Sequence, residues 1–175
     1  FAPVSEIILH LKADELFQQK SLRFLENHDE ERIVTAIGVE KSKAAAIVIS
    51  TIQGLRFYHD GQFEGKKVKL PLQLGREPVE SEIPHLKEFY EKLLKITSMD
   101  VIRNGEWSLQ EAVASWPTNE TYKNMLTWKW ELGKERILVV INYSNVHSAC
   151  RIVLDFEGYP EEFTIVDLLN NVNYH

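Results

Sequence analysis

The residues best suited to chemistry lie in one short stretch between Glu26 and Arg32. The apolar residues before it predict a short buried strand from Ser21 to Leu25. Positions 27–32 then supply an amide, an imidazole, three carboxylates and a guanidinium. Carboxylates held at the end of a rigid strand can stabilise a positively charged transition state while neighbouring groups bind hydroxyls. The pattern therefore predicts a functional site at the end of this strand.

A second polar loop is predicted to lie beside the first. Val39 to Gln53 predicts an Ala-rich helix that is apolar on nearly every side and must therefore be packed on several sides. Gly54 ends this helix, and Leu55 to Tyr58 predicts a second strand. The order strand, helix, strand favours a parallel pair, whose carboxyl ends meet at one edge of a sheet. Residues 59–65 are then expected at the same end as residues 27–32.

The first loop resembles a known enzyme motif. Phe24-Leu25-Glu26-Asn27-His28-Asp29 resembles the Phe-x-x-Asn-His-Asp motif that follows the seventh barrel strand in the α-amylase family, glycoside hydrolase family 13. The extension Asp-Glu-x-Arg at positions 29–32 is similar to one bacterial branch of that family. Residues 59–65 resemble the Gly-Gln loop after the eighth strand, and the β-rich part after residue 100 follows in the family's order. The resemblance thus covers nearly the whole chain.

The resemblance implies roles for several residues. Asp29 is implied to be the third catalytic carboxylate, which holds the hydroxyl groups of the sugar being distorted. His28 is implied to hydrogen-bond the same sugar during retaining cleavage of α-glucosidic bonds in starch-type glucans. The other substrate-binding candidates are Asn27, Arg32, His59 and Gln62. Arg32 is better suited to orienting carboxylates than to touching substrate, and loop stabilisation is an equal alternative for His59 and Gln62.

The carboxylates that a complete retaining mechanism requires are not identified in this sequence. In the family the nucleophile and the acid/base follow the fourth and fifth strands, and the chain is expected to begin after both. Gly54 to Tyr58 fits the nucleophile motif Gly-x-Arg-x-Asp except that Tyr58 occupies the Asp position. The chain alone is therefore expected to be inactive. The remaining carboxylates of the two loops are interpreted as solvated loop residues: Glu26, Glu30, Asp60 and Glu64.

Simpler interpretations exist for these residues. Asp29 to Glu31 could cap a turn, and His28 could be a core histidine. His28 and Glu31 lack further ligands at a suitable spacing, so neither a metal site nor a cofactor is predicted. Trp128 and Trp130 share an apolar face with leucines and are expected in the core, which leaves two tryptophans as candidates for stacking on sugar, Trp107 and Trp116.

The rest of the chain predicts two regions. Residues 4–18 show helical spacing, and Pro84 to Thr97 predicts a helix that would be the last of the barrel. After Met99 the period changes to two, with strands predicted at 126–132, 137–143, 150–156 and 163–169. The predicted fold is α/β plus all-β. Residues 1–99 are expected to form the last two βα units of a (β/α)8 TIM barrel, and residues 100–175 an antiparallel sheet or sandwich. The chain is expected to be an internal piece of a longer polypeptide with a truncated β-domain, because it opens at Phe1 without a methionine and stops at Tyr174-His175 in a strand-like stretch.

Composition narrows the set of partners. The net charge of −6 argues against nucleic acid, and no apolar run reaches the roughly 20 residues needed to cross a membrane. The lone Cys150 is interpreted as a small buried hydrophobe. Since two strands cannot close a barrel, self-association through the exposed barrel edges is expected, with an α-glucan as the ligand of the intact parent. The alternative is a non-catalytic glycan- or protein-binding module, or a stable fragment without activity.

Overall fold

The structure is a computed structural model that describes residues 2–71, 73, 76, 78–154, 162 and 164–174. The helices are α1 (Val4–Leu11), α2 (Glu15–Lys20), α3 (Ile33–Ile37), α4 (Val39–Thr51), α5 (Pro84–Thr97) and α6 (Asp100–Asn104), with a 3-10 turn at Thr121–Asn124. The strands are β1 (Leu22–Arg23), β2 (Leu55–Arg56), β3 (Glu106–Leu109), β4 (Ala112–Val113), β5 (Met125–Leu132), β6 (Glu135–Asn142), β7 (Arg151–Ile152), β8 (Ile165–Asp167) and β9 (Val172–Tyr174).

The predicted strand-helix-strand unit is present. β1 and β2 pair in parallel, with Leu22 opposite Leu55 and Arg23 opposite Arg56, and α3 and α4 lie between them in sequence. This confirms the parallel pairing. Both strands are shorter than predicted, and within the described residues they form a two-stranded sheet in which no further strand extends either ladder. A complete barrel is not seen in the described residues, and the assignment to the last two barrel units stays an expectation.

The helices follow the apolar periodicity closely, with one correction. The single helix predicted over residues 4–18 is in fact two helices, α1 and α2. The reason is Asp14, whose side chain accepts a hydrogen bond from the Phe17 N–H at 3.1 Å and caps a new helix. The helix predicted from Pro84 to Thr97 is confirmed as α5, with proline in its first turn. Within the described part of the chain, no helix is long and apolar enough to cross a membrane.

The second half is mainly antiparallel. β5 lies between β3 and β6 in a three-stranded sheet, β4 pairs with β7, and β8 pairs with β9. The predicted strands 126–132 and 137–143 are confirmed as β5 and β6, whereas β3 and β4 were not predicted. The strands predicted over 150–156 and 163–169 are shorter, and Asp155, Phe156, Phe163 and the terminal His175 lie outside the described residues.

Two apolar clusters hold these elements together. Trp128 and Trp130 are buried in the first cluster, which confirms their prediction as core residues. That cluster also contains Val48 and Ile52 of the α4 region, and the Trp130 indole N–H donates to the Thr51 carbonyl at 2.6 Å. The core therefore continues across the predicted boundary at residue 99. The second cluster joins α3, α4 and α5 beneath the two polar loops: Ile33, Val34, Ala46, Leu86, Tyr90 and Leu93.

Candidate functional site

The two polar loops lie at one edge of the β1–β2 pair. Because these strands run parallel and in register, their carboxyl ends meet, and the chain leaves both strands on the same side. Residues 24–32 follow β1, and residues 57–66 follow β2. The Phe24 and Phe57 rings meet edge to face just past the strands, with centroids 6.2 Å apart. The predicted proximity of the two loops is thus present in the structure.

Asn27 determines how the first loop turns. Its side-chain oxygen accepts hydrogen bonds from the backbone N–H groups of Asp29, at 2.8 Å, and Glu30, at 3.0 Å. This closed turn is the conformation that an Asn side chain stabilises when it bonds its own backbone two residues on. The Lys69 ammonium also donates to the Asp29 carbonyl oxygen. Asn27 therefore shapes the loop, and the main chain around Asp29 is fixed by its contacts.

His28 and Asp29 project from this turn towards solvent. The side chains are 53% and 73% exposed, and His28 Nε2 lies 3.3 Å from Asp29 Oδ2. A histidine exposed to this degree is not a core residue. Asp29 does not supply the cap of α3 either, because the Ile33 N–H in its first turn bonds Glu26 instead. The core interpretation of His28 is therefore wrong, and Glu26 rather than Asp29 is the acceptor for the Ile33 N–H at the start of α3.

Glu26 corrects the sequence prediction. It was interpreted as a solvated loop carboxylate, but it is 1% exposed. Oε2 accepts from the Ile33 N–H at 2.5 Å, and Oε1 lies 3.2 Å from Arg32 Nη2. The side chain turns inwards because the start of α3 and the guanidinium both need an acceptor there. Burial raises the pKa of Glu26 above the usual value, and the Ile33 N–H and the Arg32 charge offset only part of this effect.

Arg32 joins the first loop to the second. Nη2 donates to the Asp60 carbonyl at 2.9 Å, and Nε donates to the Lys66 carbonyl at 3.3 Å. The residue is 5% exposed, so its guanidinium lies beneath the surface formed by the two loops. This geometry favours the orienting role for Arg32 over a direct sugar contact.

Gln62 and Tyr90 anchor the second loop to α5. Gln62 is 1% exposed; its side-chain oxygen accepts from the His59 N–H at 3.3 Å, and its side-chain nitrogen donates to the Tyr90 hydroxyl at 2.9 Å. Because both ends of the amide are occupied, this favours the loop-stabilising alternative for Gln62. Tyr90 lies within the helix predicted from Pro84 to Thr97, but its contact with the second loop was not predicted. The sequence signal that could have found it is the phenol itself, since a buried Tyr hydroxyl needs a hydrogen-bond partner.

His59 is the residue of the second loop best placed to meet a ligand. It is half-buried, and its ring lies 6.4 Å from the Phe57 ring. Burial lowers the pKa of His59 below the usual value; the Arg32 charge and, more weakly, His28 act in the same direction, while Asp60 opposes them. A neutral imidazole at this position can both donate and accept hydrogen bonds. His28 acts on the pKa of His59, so the charges of the two loops interact.

The other candidates lie elsewhere. Trp107 is half-buried and packs against the first cluster, whereas Trp116 is 52% exposed. Cys150 is half-buried rather than fully buried. In the described ranges no three His, Cys, Asp or Glu side chains come together in a group that could hold a metal ion.

Solved structures of three enzymes share this fold. A maltogenic α-amylase from Thermotoga neapolitana matches with a TM-score of 0.77 and 22% identity over 99% of this chain and 41% of that chain. For an α-amylase from Lactobacillus plantarum the TM-score is 0.70 and the identity 16%, over 97% and 37% of the two chains. For a debranching enzyme from Nostoc punctiforme the TM-score is 0.57 and the identity 20%, over 79% and 28%.

These likenesses establish the fold. No protein-family model matches the chain, and no curated protein matches it. The chain spans 41% and 37% of the length of the two amylases. With nearly all of this chain superposed on each amylase, the resemblance seen in the first loop extends to the whole structure. The chain therefore has the fold of the C-terminal portion of α-amylase-family enzymes.

Proposed function

We propose that this chain is the part of an α-amylase-like glycoside hydrolase that carries the transition-state-stabilising carboxylate, Asp29. His28 binds the same sugar, and His59 contacts it from the second loop. The parent cleaves α-glucosidic bonds of starch-type glucans with retention. The observation that supports this most directly is the pairing of exposed His28 and Asp29 above a buried layer that holds both loops in place. Such fixed groups act on a developing positive charge without having to reorganise.

The residues present indicate which steps of the reaction this chain can support. A retaining glycosidase requires two carboxyl groups about 5 Å apart, one as nucleophile and one as acid and base. Where the nucleophile motif would place Asp, the chain has Tyr58, whose hydroxyl bonds the Ser50 hydroxyl at 2.8 Å. We therefore assign the nucleophile and the acid/base to parts of the parent beyond this chain. On this assignment the chain binds glucan but does not hydrolyse it.

The test is a titration of the chain with maltotetraose. Binding is monitored through the NMR resonances of the His28 and His59 rings. We expect both to shift on binding and starch to release no reducing ends. Asp29→Asn should weaken binding roughly tenfold, the loss of one charged hydrogen bond. The matched control is Glu30→Gln, an exposed carboxylate one position away, which should leave affinity unchanged. Reducing ends released by the purified chain would refute the proposal, as would equal effects of the two substitutions.

A non-catalytic glycan-binding module is the second candidate, because Trp116 offers an exposed aromatic face. Such faces stack on sugar rings in many binding sites. The same titration separates the two functions. Shifts confined to the Trp116 indole, with His28 unaffected, would favour the module.

A further inference from the structure

One buried guanidinium connects the two loops of the candidate site. Arg32 belongs to the first loop, and the carbonyl groups it binds, those of Asp60 and Lys66, belong to the second loop. These carbonyls stand on either side of Gly61 and Gln62, so the contacts hold both ends of the turn that follows His59. The turn itself is closed by a hydrogen bond from the Lys66 N–H to the Gly61 carbonyl, at 3.0 Å.

The second loop is shaped to admit this guanidinium. Gly61 has φ +79°, a backbone conformation that residues with a side chain rarely adopt. A Cβ atom at this position would lie 2.6 Å from Arg32 Nη2. Because glycine has no Cβ atom, the guanidinium of Arg32 can approach the backbone of the second loop closely. The close approach accounts for the glycine of the Gly-Gln pair in structural terms.

Glu26 supplies the charge that keeps Arg32 in place. An arginine that is 5% exposed needs an anion, because a buried cation without one is strongly unfavourable. Glu26 Oε1 is the nearby anionic oxygen at 3.2 Å, while Oε2 is fixed by the Ile33 N–H at the start of α3. The pair is therefore tied to a helix on one side and to the second loop on the other.

We propose that Glu26 and Arg32 are positioning residues that set His59 against His28 and Asp29 in the candidate sugar site. This inference rests on the proposed function. Neither residue touches sugar, since both are buried. They act through the backbone: Asp60, whose carbonyl Arg32 binds, is the next residue after His59.

The test uses Arg32→Lys, which retains the positive charge beside Glu26 but loses the planar guanidinium, whose N–H groups donate hydrogen bonds in two directions. We expect amide hydrogen exchange in residues 59–66 to rise about tenfold and maltotetraose to bind roughly tenfold more weakly, as loss of a charged hydrogen bond would cause. The His59 ring resonances should move in the free protein, since the loop loosens before any sugar is added. The matched control is Arg151→Lys, on exposed β7, which should change none of these. Should Arg32→Lys not fold, Glu26→Gln, which keeps an acceptor for the Ile33 N–H, serves instead.

The outcomes distinguish the contact between the two loops from the role of Arg32 in sugar binding. If amide exchange in residues 59–66 of Arg32→Lys is as slow as in the wild type, Arg32 does not hold the second loop. Faster exchange with unchanged maltotetraose affinity would overturn the positioning role, leaving a structural one. If the wild-type chain binds no maltotetraose, the proposed function and the positioning role both fail, and the exchange data still decide whether Arg32 joins the loops.

Discussion

Replacing Tyr90 with phenylalanine should reverse the order of stability between mutant and wild type as the pH rises. Burial raises the pKa of Tyr90 to about 12, from 10.0 for an exposed tyrosine, and the Gln62 donor offsets only part of this. The folded protein therefore keeps a proton that the unfolded chain releases above pH 10. This contribution to stability is fully present below pH 10 and is lost as the pH rises towards 12.

The magnitude follows from those two pKa values. At pH 11 ionisation of Tyr90 shifts the unfolding equilibrium about tenfold towards the unfolded chain, which removes about 1.4 kcal/mol from the free energy of unfolding. Tyr90→Phe is insensitive to this change. At pH 8 the variant should be less stable by about 1 kcal/mol because Gln62 loses its partner. At pH 11 the variant should then be equal to the wild type or slightly more stable.

Urea unfolding at pH 8, 9, 10 and 11, followed by tryptophan fluorescence, measures this difference. All other ionisable groups are the same in the two proteins, so the comparison isolates Tyr90. Tyr174→Phe, at an exposed tyrosine, is the matched control and should leave the free energy of unfolding at pH 8 nearly unchanged. A constant gap between Tyr90→Phe and wild type from pH 8 to pH 11 would refute the argument, because it would mean that the Tyr90 phenol ionises equally in both states.

Two further predictions concern the rest of the molecule. Trp130→Phe removes the donor to the Thr51 carbonyl and leaves a buried acceptor unpaired, so urea unfolding should show a loss of about 1–3 kcal/mol, with Trp116→Phe nearly neutral as the exposed control. We also propose that the chain self-associates through the edges of the β1–β2 pair, which has no further strand in the described residues; Leu55 of β2 is 68% exposed and Phe57, just after β2, 38%. Light scattering should show a dimer or larger species that Leu55→Lys reduces, and a monomeric wild type would contradict this.

Patterns that depend on local periodicity predicted the fold well. α5 has one apolar stripe and a proline in its first turn, so its buried face and its start are encoded locally. The tryptophans of β5 alternate with polar residues and so predict their own burial. The break between α1 and α2 was missed because apolar spacing continues through it, while the capping side chain of Asp14 acts without changing that spacing. Strand lengths were missed for a different reason: a ladder ends where its neighbour ends, which a single sequence does not show.

The candidate site was predictable in its exposed part and not in its buried part. His28 and Asp29 are polar residues in a polar loop, and the structure leaves them at the surface. Glu26 and Gln62 are polar residues in the same loops, yet each is 1% exposed. Composition cannot separate these cases, since a charged side chain is buried only where partners from other segments neutralise or bond it. Those partners become neighbours only after folding.

The buried residues also explain how the two loops of the candidate site keep their arrangement. The contacts that shape the first loop come from Asn27, from Glu26 and from Arg32 within the loop itself. The contacts that shape the second loop come from Arg32 and from Tyr90 on α5. Each support lies within this chain, so the arrangement of His28, Asp29 and His59 does not depend on the carboxylates that the proposed parent supplies from elsewhere. On the proposed function, ligand binding and bond cleavage are therefore separable: binding requires the two loops and the buried residues that hold them, and cleavage requires the nucleophile and the acid/base of the proposed parent.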